Sequence, residues 1–313
     1  MKNRDITMTE PSYVTLHREG KLLECLDRAI ELMRGCILCP RECYADRLSG
    51  ETGFCRTGRK AIVASTHPHF GEEAPLVGMG GSGTIFFSSC NLLCTFCQNF
   101  DISHAITGNR VRPEELATMM LGLQRRGCHN INFVTPSHVV PQILEGLIPA
   151  VERGLHIPLV YNTGGYDKAE TLEMLDGIFD IYMPDFKFWD TKWAERFCDA
   201  PDYRIHAMAA IKEMHRQVGD LVIDRSGVAV KGLLVRHLVM PNDMAGTGEI
   251  MRFLADEISR DTYVNIMDQY HPCGTAINDP VIGRRITGEE FSRALRLTKS
   301  SGLHRLDSRS RPE

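Results

Sequence analysis

From Met79 onward, short apolar runs alternate with amphipathic stretches. GTIFFSS (83–89), NINFV (130–134), LVYN (159–162), IFDIYM (178–183), VKGLLVRHLVM (230–240) and YVNIMD (263–268) have the length and the β-branched or aromatic content of buried strands. Between them, residues 113–126, 138–153, 168–177, 189–217 (interrupted at Pro201), 248–258 and 288–302 place apolar residues at helical spacing. Pro113 and two glutamates mark the start of the first of these helices. A hairpin is predicted around Asp224–Gly227, just before the longest strand. Upstream, GKLLECLDRAIELMRG (20–35) reads as a helix with Gly35 as its C-cap.

Six strand–helix units imply right-handed crossovers and a parallel sheet. The fold expected is α/β, a partial (β/α)6 TIM-like barrel over residues 79–302 with an N-terminal cysteine-rich extension over residues 1–78. Residues 303–313 have little to bury and are predicted to be a mobile tail. In such sheets ligands sit at the carboxyl ends of the strands. Those exits are polar here: Thr135, Pro136, Ser137 and His138 after the second strand, Asn162 to Gly165 after the third. Asp185 and Lys187 follow the fourth, Arg236 and His237 lie on the fifth, and Gln269 and His271 follow the sixth.

The first strand exits into SSCNLLCTFCQN (88–99), with Cys90, Cys94 and Cys97 spaced Cys-x3-Cys-x2-Cys. Structural zinc and ordinary iron–sulfur clusters take four protein ligands, so three thiols leave one position open for chemistry. The same spacing also fits one face of a helix, on which the three would be small packing residues. A second set, Cys36, Cys39, Cys43 and Cys55, has four thiols and is sufficient for a closed site, either zinc or a second cluster. The other reading of this set is redox-inert packing cysteines. His67, His69, Glu72 and Glu73 lie between the two sets; loop histidines and glutamates of this kind are more often solvated than functional.

Composition sharpens the cysteine reading. Of eleven cysteines in 313 residues, seven fall between Cys36 and Cys97, whereas a disulfide scaffold would spread them. Cys25 and Cys128 read as packing residues, and Cys198 and Cys273 look isolated. The formal charge of −4 disfavours a nucleic-acid surface. No apolar run approaches a membrane span and the amino terminus lacks a signal-peptide pattern, so a cytoplasmic, reduced setting is expected. GMGGSG (78–83) precedes a strand, where a phosphate-binding loop would need a helix.

With these residues assembled, the chain resembles the radical S-adenosylmethionine (SAM) superfamily over residues 79–300, in particular proteins like the pyruvate formate-lyase activating enzyme. GSGTIFFSSCNLLCTFCQNFDIS (81–103), with Phe96 before the third cysteine, is similar to that family's cluster loop. The resemblance implies a 4Fe–4S cluster on Cys90, Cys94 and Cys97, with SAM completing it. It implies reductive cleavage of SAM to a 5′-deoxyadenosyl radical that abstracts hydrogen from a substrate. It nominates Asn162 and Thr163, Asp185 and Lys187, Arg236 and His271 for SAM contacts. Where activating enzymes carry a Gly-Gly-Glu segment this chain has NFVTPSH (132–138); either backbone carbonyls with Thr135, Ser137 or His138 take over that contact to the SAM amino group, or the contact is absent. The Cys36–Cys55 segment resembles an extension in one branch of the superfamily. Expected partners are an electron donor such as flavodoxin or ferredoxin and a substrate, either a glycine of a partner protein or a small molecule, with RNA weakened by the charge. The reading from another class is a non-catalytic zinc or iron–sulfur scaffold.

Overall fold

The six predicted strands all form, and they form one parallel array. The computed structural model describes residues 10–310. In chain order the strands are β1 (Ile62–His69), β2 (Ser82–Phe87), β3 (Asn109–Arg110), β4 (Ile131–Val134), β5 (Leu159–Thr163), β6 (Ile181–Pro184), β7 (Val222–Ile223), β8 (Ala229–Leu238), β9 (Tyr263–Met267) and β10 (Arg305–Leu306). The sheet order is β10-β9-β8-β6-β5-β4-β2-β1-β3. From β2 to β10 along that path every pairing is parallel. β1 pairs antiparallel with β2, β3 with β1, and β7 forms the predicted hairpin with β8. The two ends of the sheet do not pair, so the barrel is partial.

Period-two alternation sets the two faces of the sheet. Phe133, Tyr161, Tyr182, Leu233 and Val235 join the large core beneath the outer helices. Their neighbours Val160, Ile181, Met183 and Leu234 form a smaller cluster with Leu76 and Tyr263 inside the barrel. Each fully buried side chain of this size contributes roughly 1.5–3 kcal/mol. On β8 the next inward position after Leu234 is Arg236, which is how a strand otherwise built for a core delivers a cation to the barrel interior.

Three expectations change. The helix from Lys21 ends at Glu31 with Leu32 as its C-cap, before Gly35. The extension does not stop at the barrel, because β1 continues the sheet. The predicted tail is tied down through residue 310, and residues 311–313 lie outside the described residues. β10 pairs with β9, Tyr263 donates to Asp307 (3.0 Å), and the Ser310 hydroxyl bonds Asn265 (3.0 Å) and accepts from Ile266 N (2.9 Å). Asp307 also accepts from Ala74 N (3.1 Å), and Arg309 donates to Phe70 O (3.0 Å). The carboxyl-terminal residues and the 70–74 loop therefore bridge the side on which the sheet fails to close. Polar partners hold a segment that its low apolar content seemed to leave free.

Candidate functional site

Cys90, Cys94 and Cys97 lie in a loop without helix or strand, which excludes the helix-face reading. Ser89 (φ +71°) and Leu93 (φ +51°) adopt left-handed backbone, a costly choice for non-glycine residues. The three thiols line a cleft of about 910 Å³, open to solvent, at the carboxyl ends of the parallel strands. Phe96, Thr135, Asn162, Thr163, Asp185, Lys187 and Arg236 line the same cleft. Ser137 and His271 do not: Ser137 is buried behind Thr163 (3.1 Å between hydroxyls), and the His271 ring bonds Gln269 O (3.1 Å). Sequence reading missed Gln98, Asn99, Ser103, Leu238 and Met267, whose amide, hydroxyl or apolar side chains are common types with nothing local to single them out.

The polar wall is one network. Arg236 donates from Nε to Asp185 (2.7 Å) and from Nη2 to Asn162 (2.7 Å), and Lys187 Nζ donates to the other Asp185 oxygen (2.5 Å). Burial opposes ionisation of Asp185, but the two cations outweigh it and hold its carboxyl below the usual range. The β5 and β6 exits are locked together by Tyr203, whose hydroxyl donates to Gly164 O or Asp185 O (2.9 Å each) and accepts from Lys187 N (2.9 Å). Gly165, at φ +80°, is required there because a Cβ would overlap Asp185 O. Thr163 is committed to structure: it donates to Asp167 (2.6 Å) and accepts from Gly165 N (3.2 Å). Thr135 turns the β4 exit at φ +61°, a glycine-like conformation on a β-branched residue.

Behind Arg236 lie two buried carboxylates for which a solvated surface position was the alternative. Glu72 and Glu73 each approach it to 3.9 Å, and Asn265 donates to Glu73 (3.0 Å). Burial, then the Glu73 charge, pushes Glu72 up to about 7, with Arg236 pulling the other way. His67 stacks on Phe86 and His69 Nε2 lies 3.9 Å from Glu72, so neither reaches the cysteine cleft. His138 donates from Nε2 to Ser88 O (3.0 Å) and burial pushes it down to about 4, which fits a core histidine.

Cys198 is not isolated. Its Sγ lies 3.3 Å from Cys94 Sγ, at the end of the helix Thr191–Cys198, and the same helix end accepts from Thr95 N through Phe197 O (2.9 Å). Phe96 wedges edge-on against Phe188 and Phe197, so it fixes the loop as well as lining the cleft. The chain's eleven cysteines form no disulfide. Among the described residues no group of three or more His, Cys, Asp or Glu is arranged to hold a single metal ion. Three thiols lining one cleft are, by donor chemistry, the kind of set that takes iron. They share one wall, and Leu92 N donates to Cys90 Sγ (3.3 Å); the Cys198 thiol and burial push the Cys94 thiol well up, with the Lys187 ammonium pulling the other way.

These features define an α/β protein with an open parallel barrel and a three-thiol cleft at its strand exits. It is 32% identical over 283 residues to uncharacterized protein MJ0674 of Methanocaldococcus jannaschii, covering 88% of this chain and 77% of that protein, and it belongs to the same family. No protein-family model matches. Among solved structures it is similar to methylornithine synthase (PylB), with a TM-score of 0.45 and 17% identity over 70% of this chain and 62% of that one. It is also similar to HydG, a maturase of the FeFe-hydrogenase, with a TM-score of 0.48 and 12% identity over 93% and 64%. The chain thus spans less than two thirds of either structure's length. Among the described residues no helix is long and apolar enough to cross a membrane.

Proposed function

We propose that this protein is a radical SAM enzyme. The observation that carries the reading is the meeting of three thiols with a buried Asp185–Lys187–Arg236 network in one solvent-open cleft. A 4Fe–4S cluster with SAM, when bound, supplies one-electron cleavage of SAM to methionine and a 5′-deoxyadenosyl radical. Cys90, Cys94 and Cys97 would hold the cluster, and SAM would take the position for which they provide no fourth thiolate. Cys198 does not fill that position in this reading, since it sits against Cys94 rather than apart from it.

The remaining residues bind and orient. Lys187 and Arg236 keep unused N–H groups beside the cleft after satisfying Asp185, and these suit the carboxylate of a methionine moiety. Asn162 is held by Arg236, which leaves its amide N–H groups free for a ligand. Thr135 replaces the missing glycine pair through its backbone conformation, while Ser137, Thr163 and Asp167 support that corner from behind. His271 is offered as a ribose contact only by resemblance. The openness of the cleft suits hydrogen abstraction from a glycine of a partner protein, with a flavodoxin or ferredoxin as electron donor.

The test is anaerobic reconstitution with iron and sulfide, followed by reduction and addition of SAM. Release of 5′-deoxyadenosine supports the reading. A fully loaded cluster that leaves SAM intact under several reductants overturns it, and a colourless zinc protein favours the scaffold reading. A glycyl radical in a co-purified partner would support the protein substrate.

A further inference from the structure

We infer that Cys94 and Cys198 are a disulfide-forming pair: when the cleft carries no iron, an oxidant links them and masks one of its three thiols, and a reducing thiol frees it again. The pair stands on geometry alone; only its effect on iron loading rests on the reading proposed for the cleft.

The backbone brings the two residues together from both sides. Cys198 closes the helix Thr191–Cys198, which Asp190 caps by accepting from Lys192 N (2.8 Å) and which ends at Asp199 in left-handed backbone (φ +48°). Phe197 O, one residue before Cys198, accepts from Thr95 N (2.9 Å), one residue after Cys94. On the other side Arg41, between Cys39 and Cys43, reaches across both stretches. Its Nε donates to Asn91 O (2.9 Å), its Nη2 to Cys198 O (2.8 Å) and its Nη1 to Asp199 O. Arg41 is itself held 3.7 Å from the centre of the Phe54 ring. Phe197 stacks on Trp193 and meets Phe96 edge-on, which fills the space beside the pair. None of these ties involves either sulfur, yet together they fix where the two cysteines sit.

The sulfurs stand 3.3 Å apart. A disulfide holds them at about 2.05 Å, so closing the pair takes a movement of about 1.3 Å. The helix end is stiff, whereas the loop of Cys94 has no helix or strand of its own, so the movement falls to Cys94. Cys90 is engaged elsewhere, with its Sγ accepting from Leu92 N (3.3 Å).

The two members differ in access. Cys94 lines the solvent-open cleft, and Cys198 is 2% exposed and does not line it. Hydrogen peroxide therefore meets Cys94 first, and Cys198 is the thiol that resolves it. In the first step a Cys94 S–O bond forms, the peroxide O–O bond breaks and a water leaves. In the second the Cys198 sulfur attacks Cys94, the S–S bond forms, the S–O bond breaks and a second water leaves. Two thiols and one peroxide thus give one disulfide and two waters. The Cys198 contact and burial hold the Cys94 proton, so the first step is slow and the pair answers sustained oxidation. Without Cys198 the sulfenic acid at Cys94 loses the thiol beside it and can advance to sulfinic acid, which reducing thiols do not reverse. The pair turns a permanent loss of a cleft thiol into a reversible one.

The experiment uses the full chain, freed of metal by a chelator and fully reduced, as wild type and as Cys198→Ser. Each is exposed to hydrogen peroxide, its remaining thiols are blocked with iodoacetamide, and the unreduced digest is read by mass spectrometry. The expected wild-type product is a peptide linking Cys94 to Cys198 that dithiothreitol separates. In Cys198→Ser, Cys94 should carry sulfinic acid instead. A wild-type Cys94 linked to Cys90 or Cys97, or a Cys198 still free at the end of the exposure, overturns the pair. The wild-type map decides this even if the variant folds poorly. Uptake of iron and acid-labile sulfide then tests the consequence. Peroxide should remove most of the uptake in both proteins, and dithiothreitol should restore it in the wild type alone. Equal restoration in both overturns the protective role. If the reduced wild type takes up no iron, the reading of the cleft fails, and the linked peptide still decides the pair.

Discussion

The two cysteine sets are built on opposite plans within hydrogen-bonding reach of one another. Cys90, Cys94 and Cys97 face an open cleft whose other wall is a balanced charge network. Cys36, Cys39, Cys43 and Cys55 turn toward their own backbone, with Arg47 sealed beside them and no cleft residue among them. One arrangement leaves room for a reacting molecule; in the other, three of the four thiols are buried and Cys43 is partly exposed. Number of thiols alone gives the same division, but exposure and charge supply its reason. A site that binds an exchangeable ligand needs unspent donors at a solvent-open surface, whereas a structural site needs burial.

The sharpest break comes at Cys94. Cys94→Ala should abolish 5′-deoxyadenosine formation and remove the cleft's iron, as measured by product chromatography and metal analysis; retained cleavage would remove the cleft from the comparison. Next in size is Arg236→Leu, which leaves the buried Glu72–Glu73 pair without its cation and Asp185 with Lys187 alone. It should cost about 3–5 kcal/mol in urea unfolding, so a change under about 1 kcal/mol would mean that the network is not charge-balanced by Arg236.

The pH dependence tests the same network more gently. Glu72 is raised from its ordinary 4.5 to about 7 by burial. A carboxyl raised on folding keeps its proton in the native state where the unfolded chain has lost it. Its contribution is therefore full below about pH 4.5 and is lost as pH rises through 7, by up to about 3 kcal/mol. Glu72→Gln should flatten that slope, read from unfolding curves between pH 4.5 and 8, and an unchanged slope would exclude Glu72 as its source. The smallest effect is expected at Tyr203→Phe, which removes one hydroxyl that ties the β5 and β6 exits together. About 1–2 kcal/mol should be lost, with SAM affinity falling more than stability in binding measurements if the cleft geometry depends on that tie.

Periodicity was enough for the barrel because each strand carries its own apolar run and each helix its own stripe, from Ile85 in β2 to Val264 in β9. β10 was illegible because two residues have no period, and its hold on β9 comes from polar partners at Asp307 and Ser310. In the site, Cys90, Asp185 and Arg236 were legible as unusual residue types at strand exits. Cys198 was not, since nothing local distinguishes a packing thiol from one placed against Cys94 by a helix over a hundred residues away. Glu72 and Glu73 read as surface charge because acidic residues next to glycine usually are. Their burial follows from the open side of the barrel, which the 70–74 loop crosses.

Local order in the chain thus determined the strand–helix alternation, the three-thiol loop at the first parallel strand's exit and the separate four-cysteine segment, because each is encoded within a few adjacent residues. Tertiary structure decided which of the polar exits share a cleft, that Ser137 and His271 fall outside it, and that Arg47 is buried beside Cys36. Those facts depend on distances between residues far apart in the chain and on which charges lose their water, and neither is encoded in any one stretch.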